Sequence, residues 1–395
     1  MTDLDRSFML RALALARLGL GSASPNPSVG CVVVKRGGII GEAFHTYAER
    51  DHAEVRAIRQ AGKQVRGATV YVTLEPCSHH GRTPPCADLL IESGVRRVVL
   101  SAIDPNPQVC GRGIERMHAS GIRVEIGLMH EVSERMIEPF ACHIRTGRPL
   151  VVAKVGMSLD GRIAALDDRN HWISSPEARS FGQSLRHELD AIMVGIGTIL
   201  YDDPQLTYRG REPKARPLLR VILDSMLRTP PDARLFRPDS PGPVMIFCSP
   251  GAPRARRQRL ERAGAEIIAV PCTRGRLDLK RTLRILGRRQ VLGLLVEGGS
   301  RVHWSFVSAR LVDKFYFDIA PLVLGGGRSV PSVGGEGYGT VQRAPRYRIL
   351  RHFPAGTDMI LETYPSYSRS ILSPWRPGED APSPSRYRPD TSRKK

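Results

Sequence analysis

The chain has 395 residues, 41% of them hydrophobic, and its 59 basic side chains outnumber its 39 acidic ones by 20. This length exceeds one ordinary hydrophobic core and predicts two domains. No apolar run is long enough to cross a bilayer, and the acidic, amphipathic first residues are unlike a secretory signal. With seven cysteines, an odd number, we expect a reducing cytoplasm and no membrane partner.

The positive charge alone would be compatible with a nucleic-acid partner. The arginines, however, are scattered through both halves of the chain, and aromatic residues make up only 6%, too few for base-stacking platforms. We therefore expect no nucleic-acid partner. The positive field would still attract a phosphorylated small molecule.

The predicted elements of the first half alternate between helices and strands. A capping box at Thr2 and Asp5 opens an amphipathic helix, and a hairpin turns near residues 37–38. A helix begins near His52 and ends at Gly62, strand 68–74 follows, and a second short helix begins at Cys86. This order predicts a helix-covered sheet over residues 1–145.

A linker at 145–149 leads to a second α/β domain, predicted over 149–365. Its helix from Pro176 is capped by Ser174 or Ser175, and most of its other elements are apolar strands. Residues 366–395 are rich in Ser, Pro and Arg and lack hydrophobic periodicity, which predicts a basic disordered tail.

The residues with the clearest chemistry are His52, Glu54, Cys77 and Cys86. One imidazole and two thiolates can hold Zn²⁺ and leave its fourth position open for water, while Glu54 can carry protons to and from that water. This order matches the H-x-E…P-C-x-x-C signature of zinc deaminases, except that eight residues separate the cysteines. A closed structural zinc site with His79 or His80 as the fourth ligand is the alternative, but it gives no role to Glu54.

Two glycine-containing segments of the second half indicate nucleotide binding. Gly195-Ile196-Gly197-Thr198 follows a strand, and Glu297-Gly298-Gly299-Ser300 opens a helix whose backbone N–H groups could cradle a phosphate. Neither segment is the G-x-G-x-x-G dinucleotide fingerprint, so a standard Rossmann domain is not expected.

Several runs of sequence together resemble the bifunctional deaminase/reductase family of riboflavin biosynthesis, over nearly the full length. The resemblance rests on SPNPSVG at 24, HAEV at 52, VTLEPCSHHGRTPPC at 72, DPNPQVCGRG at 104, KVGMSLDGRIA at 154, TILYDDPQLTYR at 198 and LVEGGS at 295. It implies a cytidine-deaminase-like three-layer domain followed by a dihydrofolate-reductase-like α/β domain. Residues 49–51 and Asn170 depart from the family pattern.

The resemblance also implies specific roles. His52, Cys77 and Cys86 would ligate zinc, with Glu54 as proton shuttle in the hydrolytic deamination of a diaminopyrimidinone that carries a phosphoribosylamino arm. NADPH would then reduce that arm to a ribityl chain. The implied NADPH contacts are Gly156, Trp172, Thr198, Asp202, Ser225, Gly299, Ser300, Arg301, Val302, His303, Trp304 and Ser305. The implied substrate contacts are Asn170, Arg186, Leu206, Arg209 and Glu297.

Alternatives remain open at this stage. Trp172 could lie in the core, Arg186 on a helix surface and Asp202 at a turn, and either Lys154 or Asp202 could be the acid in the reduction. A deaminase of RNA or DNA bases would explain the charge but leaves the second half without a role. A structural zinc module joined to a nucleotide sensor is the non-enzymatic hypothesis. We expect a homo-oligomer acting on a phosphorylated pyrimidine.

Overall fold

The computed structural model describes residues 1–81, 83–165, 172–212 and 214–367. The chain divides into two compact units after Gly147. Asn170 and the tail predicted from residue 366, apart from its first two residues, lie outside the described residues. The backbone N–H of Ser366 donates to the carbonyl of Arg346, so this residue still belongs to the second unit.

The amino-terminal unit is built from six helices and five strands in its described residues. The helices are α1 (Asp3–Leu18), α2 (Ala53–Ala61), α3 (Cys86–Glu92), α4 (Arg112–Ala119), α5 (His130–Met136) and α6 (Glu138–Thr146). The strands are β1 (Gly30–Lys35), β2 (Gly38–Phe44), β3 (Thr69–Leu74), β4 (Arg97–Ala102) and β5 (Arg123–Ile126).

The five strands form one mixed sheet in the order β2-β1-β3-β4-β5, antiparallel from β2 to β3 and parallel from β3 to β5. Successive strand residues point to opposite faces. Val32 and Val34 pack with α1 and α5, whereas Cys31 and Val33 pack with α2, α3 and α4. The unit is therefore a three-layer α/β/α domain, which confirms the predicted fold class.

The carboxy-terminal unit is a larger α/β domain. Its helices are α7 (Pro176–Glu188), α8 (Ile196–Asp202), α9 (Arg254–Arg262), α10 (Leu279–Arg288) and α11 (Ser300–Ser308). Its strands are β6 (Leu150–Ser158), β7 (Arg162–Ala164), β8 (Ala191–Gly195), β9 (Leu219–Leu223), β10 (Val244–Cys248), β11 (Ala265–Ala269), β12 (Cys272–Thr273), β13 (Arg276–Leu277), β14 (Gly293–Val296), β15 (Lys314–Ala320), β16 (Val330–Pro331), β17 (Tyr347–Ala355) and β18 (Asp358–Pro365).

Nine of these strands form a single sheet in the order β11-β10-β9-β8-β14-β6-β15-β18-β17. The strands from β11 to β15 are parallel, and β18 and β17 add an antiparallel edge. Because the parallel strands all point the same way, their carboxyl ends share one edge of the sheet, where open α/β proteins bind ligands. Among the described residues, no helix is both long and apolar enough to span a membrane.

Local signals in the sequence confirm several of the predicted boundaries. The capping box at Thr2 and Asp5 is formed, α2 ends at Gly62, and Ser175 caps α7 by accepting from the backbone N–H of Ala178. Helices α4, α5 and α6 and the β17–β18 hairpin are elements that the sequence patterns did not predict.

A buried ionic cluster ties α1 to the sheet. The carboxylate of Asp5 accepts hydrogen bonds from Arg97 at 2.7 and 3.1 Å and from the Tyr71 hydroxyl at 2.6 Å, in addition to the capping bonds from Thr2. Arg97 also pairs with Glu125 of β5 at 2.6 Å. Hydrogen bonding from Arg97 holds the pKa of Asp5 well below its usual range. One carboxylate thus links α1, β3 and β4.

We predict that Asp5→Asn lowers the free energy of unfolding of the amino-terminal unit by roughly 3 kcal/mol, because it leaves the Arg97 guanidinium partly uncompensated. Asp3→Asn, at an exposed position of the same helix turn, should cost much less. Because the pKa of Asp5 is depressed by folding, the difference between wild type and variant should shrink below about pH 4. Calorimetric unfolding at pH 7 and pH 3 measures both effects, and equal losses for the two variants would contradict the assignment.

Candidate functional site

Three predicted zinc ligands meet where two helices of the amino-terminal unit begin. His52 is the N-cap residue of α2, and Cys86 is the first residue of α3. Cys77 lies in the loop that follows β3, close enough for the backbone N–H of Cys86 to donate to its sulfur at 3.3 Å. Helix N-termini favour negative charge, which suits thiolates at these positions.

The ligand atoms of these side chains have the spacing of a tetrahedral zinc site. His52 Nδ1 lies 3.3 Å from the Sγ of Cys86 and 3.6 Å from the Sγ of Cys77, and all three atoms lie within 4.8 Å of one another. Tetrahedral angles with ordinary Zn–N and Zn–S bond lengths require separations of about 3.6 Å. The donor set, one nitrogen and two sulfurs, therefore fits a zinc ion in both chemistry and size.

Only one of the three ligands, Cys77, is biased towards the protonation state that metal binding requires, because hydrogen bonding with Cys77 raises the pKa of His52 to about 9. Hydrogen bonding from Cys86, and secondarily from His52, lowers the pKa of the Cys77 thiol. The same contact, together with burial, raises the pKa of Cys86 well above its usual range. One thiolate is thus available at neutral pH, and a bound cation would displace the proton of the second.

Glu54 is the second residue of α2, two residues after His52, and is almost completely buried. Its side chain interacts with the thiol of Cys86, and burial raises the pKa of its carboxyl group. A carboxyl with a raised pKa can both accept and return a proton near neutral pH. Among the described residues, Glu54 does not belong to the group whose atoms could hold the metal.

The closed structural zinc site requires a fourth protein ligand. His79 and His80 are both exposed, and neither belongs to the metal-binding group found within the described ranges. This arrangement leaves one corner of the tetrahedron to a non-protein ligand, as in catalytic zinc sites.

Glu75, two residues before Cys77, anchors the ligand loop. Its buried carboxylate accepts from the backbone N–H groups of Asp104, Gly111 and Gly113 at 3.3, 3.1 and 3.2 Å. Burial raises the pKa of Glu75 to about 8 although these three donors oppose the shift. A side chain at Gly113 would collide with the carbonyl of Pro76 at 2.5 Å, so the N-terminus of α4 packs directly against the loop. The sequence analysis did not identify this role.

Polar side chains near the ligands are further candidates that the sequence reasoning missed. The His45 ring lies edge-on to His52, with ring centroids 5.3 Å apart, and Asn26 contacts Nε2 of His45 at 2.9 Å. Asp104 is buried, and burial raises its pKa to about 7. Asn26 and Asp104 lie in the SPNPSVG and DPNPQVCGRG runs, so the only signal in the sequence was family resemblance.

In the carboxy-terminal unit, most of the predicted cofactor contacts follow neighbouring parallel strands. Gly156 lies in the carboxyl-terminal half of β6, Thr198 and Asp202 lie in α8 after β8, and Ser225 follows β9. The segment from Gly299 to Ser305 begins α11 after β14. The order of these strands across the sheet is β6-β14-β8-β9, so the contacts form one row along the carboxyl edge.

Gly156 lies against a buried polar group. Lys154 donates to Asp318 at 3.1 Å, and the Ser174 hydroxyl donates to the same carboxylate oxygen at 2.6 Å. A methyl group at residue 156 would collide with Ser174 Oγ and lie 3.3 Å from Asp318. Glycine is therefore required here for packing, and Lys154 stands beside the position at which a cofactor would approach.

The N-terminus of α11 is the best-formed phosphate cradle among the predicted contacts. Gly299 is its N-cap, and a Cβ at that position would lie 3.7 Å from Thr198 Oγ1, so α8 and α11 begin side by side. His303 and Trp304 are buried, and His303 packs on Phe315. The backbone N–H of His303 also donates to the carbonyl of Gly299 within the helix, so neither residue is placed to donate to a phosphate.

Trp172 is 72% exposed, with the Arg179 guanidinium 4.9 Å from its ring centre, so the core alternative for Trp172 is wrong. Asp202 is the last residue of α8 and is exposed.

Four predicted substrate contacts lie close together at the carboxyl edge of the nine-stranded sheet, near the end of β14. Arg186 of α7 donates to Glu297 at 2.5 and 3.0 Å and to the carbonyl of Thr207, which adjoins buried Leu206. Partial burial, with the like charges of Arg186 and Arg234, lowers the pKa of Arg209. Arg186 is thus a half-buried, paired residue and not a surface charge. An additional anion would relieve the repulsion among the arginines.

Comparisons with known proteins match both units. Residues 2–102 match the cytidine and deoxycytidylate deaminase zinc-binding region, and residues 149–361 match the RibD C-terminal domain. The riboflavin biosynthesis protein RibD of Escherichia coli is 40% identical over 372 residues, which cover 90% of this chain and 98% of that protein. RibD of Actinobacillus pleuropneumoniae is 39% identical over 362 residues, covering 92% and 95%.

Solved structures agree with these matches. RibD of Acinetobacter baumannii is 36% identical, covers 92% of this chain and 99% of its own, and superposes with a TM-score of 0.81. The diaminohydroxyphosphoribosylaminopyrimidine deaminase/5-amino-6-(5-phosphoribosylamino)uracil reductase of Thermotoga maritima has the same identity and coverage, with a TM-score of 0.80. The chain belongs to the RibD family of riboflavin biosynthesis proteins, with a zinc-dependent deaminase domain followed by an NADPH-dependent reductase domain.

Proposed function

We propose that the chain deaminates 2,5-diamino-6-(5-phosphoribosylamino)pyrimidin-4(3H)-one and then reduces its ribosyl arm to give 5-amino-6-(5-phosphoribitylamino)uracil. The observation that carries the proposal is the group of His52, Cys77 and Cys86 at zinc spacing, with buried Glu54 against it. The chain is an enzyme of riboflavin synthesis with zinc and NADPH as cofactors. The roles of individual residues are our proposal.

In the deaminase domain, His52, Cys77 and Cys86 would hold the zinc ion. When bound, zinc lowers the pKa of a water molecule so that it can attack the ring carbon bearing the amino group. Glu54 would take one proton of that water and pass it to the ring nitrogen, and would then take the remaining hydroxyl proton and give it to the amino group, which leaves as ammonia. Its raised pKa and its position in the first turn of α2, two residues after His52, support this role.

The side chains near the zinc ligands include hydrogen-bonding groups suited to a polar, planar pyrimidine. The His45 ring packs on His52, the Asn26 side chain contacts His45, and Asp104 is close enough to Cys77 and His52 for their charges to affect its pKa. We propose that these three residues orient the ring. Asp104, with its pKa raised to about 7, can present either a donor or an acceptor to the ring.

In the reductase domain, NADPH would supply a hydride to C1′ of the ring-opened ribose. Arg186 and Arg209 would bind the phosphate of the arm, because guanidinium groups bind phosphate oxygens in pairs and because burial, with the neighbouring arginines, lowers the pKa of Arg209. We propose Lys154 and not Asp202 as the proton donor, because the Lys154 ammonium lies beside Gly156 on a buried acceptor while Asp202 is exposed.

The competing hypotheses fit fewer of these observations. A deaminase of RNA or DNA bases gives no role to the buried Lys154–Asp318 pair or to the converging arginines of the second domain. A structural zinc module gives no role to a buried glutamate against the ligands. Homo-oligomerisation and a cytoplasmic location stay predictions; seven free cysteines support the second of these.

We predict that Glu54→Gln lowers the deamination rate by at least about 100-fold, because the amide cannot transfer the proton. The variant should keep one equivalent of zinc and should still oxidise NADPH when supplied with the deaminated intermediate. Ammonia release, metal content and NADPH absorbance measure the three properties. Glu92→Gln, on an exposed position of α3, is the matched control. Loss of zinc or of both activities would contradict the assignment.

We predict that Glu75→Ala weakens zinc binding about 10- to 100-fold, because three backbone N–H groups lose their acceptor and the Cys77 loop loosens. Glu75→Gln keeps one acceptor oxygen and should fall between the alanine variant and wild type. Competition with a chromophoric chelator measures the zinc affinity, and NADPH-dependent reduction checks that the second domain is intact. An alanine variant with wild-type zinc affinity would show that Glu75 does not position the loop.

We predict that Arg209→Gln raises the KM of the reduction about tenfold or more with little change in kcat, because one phosphate contact is lost. Arg211→Gln removes a charge from an exposed position two residues away and should leave KM unchanged. Steady-state kinetics on the deaminated intermediate separate the two parameters. A selective loss of kcat would place Arg209 at the reacting centre instead.

A further inference from the structure

The reductase domain contains a surface cavity that none of the roles above uses. It has a volume of about 260 Å³ and lies between the loop after β9 and helix α9, which follows β10. Its lining residues are Leu227, Arg228, Thr229, Pro230, Pro231, Arg256, Arg259 and Leu260. It therefore opens at the carboxyl ends of two neighbouring parallel strands, where ligands of open α/β sheets bind.

The charged side chains that line this cavity are all basic. Arg228, Arg256 and Arg259 line it, and no carboxylate does. All three arginines are exposed, and none of them forms an ion pair with another residue of the described ranges. A bound anion would supply the missing counter-charge, and arginine is the side chain best suited to phosphate.

The wall of the cavity is held in place by a buried carboxylate. Asp224, at the end of β9, accepts from the backbone N–H and the hydroxyl of Thr229 at 2.8 and 2.9 Å. Between them Leu227 adopts a positive φ of 54°, which turns the chain so that Arg228 reaches the cavity. Arg256 reaches back from α9 to the carbonyl of Met226 at 3.1 Å. The loop that carries Ser225 and the basic helix are therefore joined.

The cavity continues the row of cofactor contacts along the sheet. The order of the strands places Gly156 of β6 first, then the cradle of α11 after β14, then Thr198 after β8, and then Ser225 after β9. The cavity comes next, between β9 and β10. If the nicotinamide lies near Gly156 and the pyrophosphate at the start of α11, the adenosine end of the dinucleotide extends towards Ser225 and the arginines.

We propose that Arg228, Arg256 and Arg259 bind the 2′-phosphate on the adenosine ribose of NADPH and so make the reductase domain select NADPH over NADH. The inference rests on the proposed reductase function and adds the residues that recognise the cofactor. NADPH and NADH differ only by this phosphomonoester, which carries close to two negative charges at neutral pH. Three arginines without a carboxylate among them match that charge, whereas NADH would leave them unneutralised.

Two variants test the proposal by binding instead of turnover. Arg228→Gln and Arg259→Gln each remove one guanidinium group from the cavity but leave the Arg256–Met226 contact in place. Titration of the full-length protein with NADPH and with NADH, followed by the fluorescence of the reduced nicotinamide, gives both dissociation constants. We expect each variant to bind NADPH about tenfold more weakly and the double variant about 100-fold more weakly, with NADH binding changed less than about twofold.

Arg262→Gln is the matched control, because Arg262 is an exposed arginine of the same helix that does not line the cavity. It should bind both cofactors as wild type does. Displacement of NADPH by 2′,5′-ADP, compared with ADP, should show the same loss in the cavity variants. Melting temperature and ammonia release establish that each variant is folded.

Several outcomes would overturn the proposal. Three results would each show that the cavity does not bind the 2′-phosphate. They are an equal loss of affinity for NADPH and NADH, an unchanged affinity of the double variant for NADPH, and a loss of affinity in Arg262→Gln equal to that in Arg259→Gln. Displacement by inorganic phosphate as effective as by 2′,5′-ADP would indicate an unspecific anion site. A wild-type protein that binds neither NADPH nor NADH would overturn the reductase function itself, which is a distinguishable result.

Discussion

Both sites depend on one constraint of parallel β structure. A chain that leaves a parallel strand must return over the sheet before it enters the next one, so strand carboxyl ends and helix N-termini collect at a single edge. In the amino-terminal unit this places the Cys77 loop after β3 beside the first residue of α3. In the carboxy-terminal unit it aligns contacts from Gly156 to Ser225. Chemically important residues far apart in sequence become neighbours for this reason.

The zinc ligands need support that the ligands themselves do not provide. Cys77 lies on a loop, and a loop holds a metal ligand only if its backbone is fixed. Glu75 fixes it by accepting three N–H groups from the segment 104–113, at the cost of a buried carboxylate whose pKa is raised to about 8. The same segment brings Asp104 towards the zinc ligands. The same contacts therefore hold the ligand loop and place a second buried carboxyl group near the metal ligands.

Sequence reasoning succeeded where a signal was local. The capping box at Thr2, the stop of α2 at Gly62 and the cap at Ser175 depend on residues within one turn of each other. The zinc group was also identified from its residue types and order. The roles of Glu75 and His45, and the approach of Arg186 to Glu297, depend on contacts between segments up to 111 residues apart. No pattern within a short window encodes such contacts. The β17–β18 hairpin lacks a clear alternation because β17 has no buried residue and β18 buries the polar residues Asp358, Glu362 and Thr363.

The two domains use opposite electrostatic arrangements, and the difference follows from what each must bind. The deaminase site buries carboxyl and thiol groups, and burial raises the pKa values of Glu54, Glu75 and Asp104. Of these groups, Glu54 is the one that we propose to exchange protons with the pyrimidine ring, whereas Glu75 holds the ligand loop. The reductase site instead gathers cations at its carboxyl edge, and the pKa of Arg209 is lowered by burial and neighbouring arginines. Its proposed ligands, a sugar phosphate and a phosphorylated dinucleotide, supply the missing negative charge. The large positive charge of the chain thus has a local use in the second domain that requires no nucleic acid.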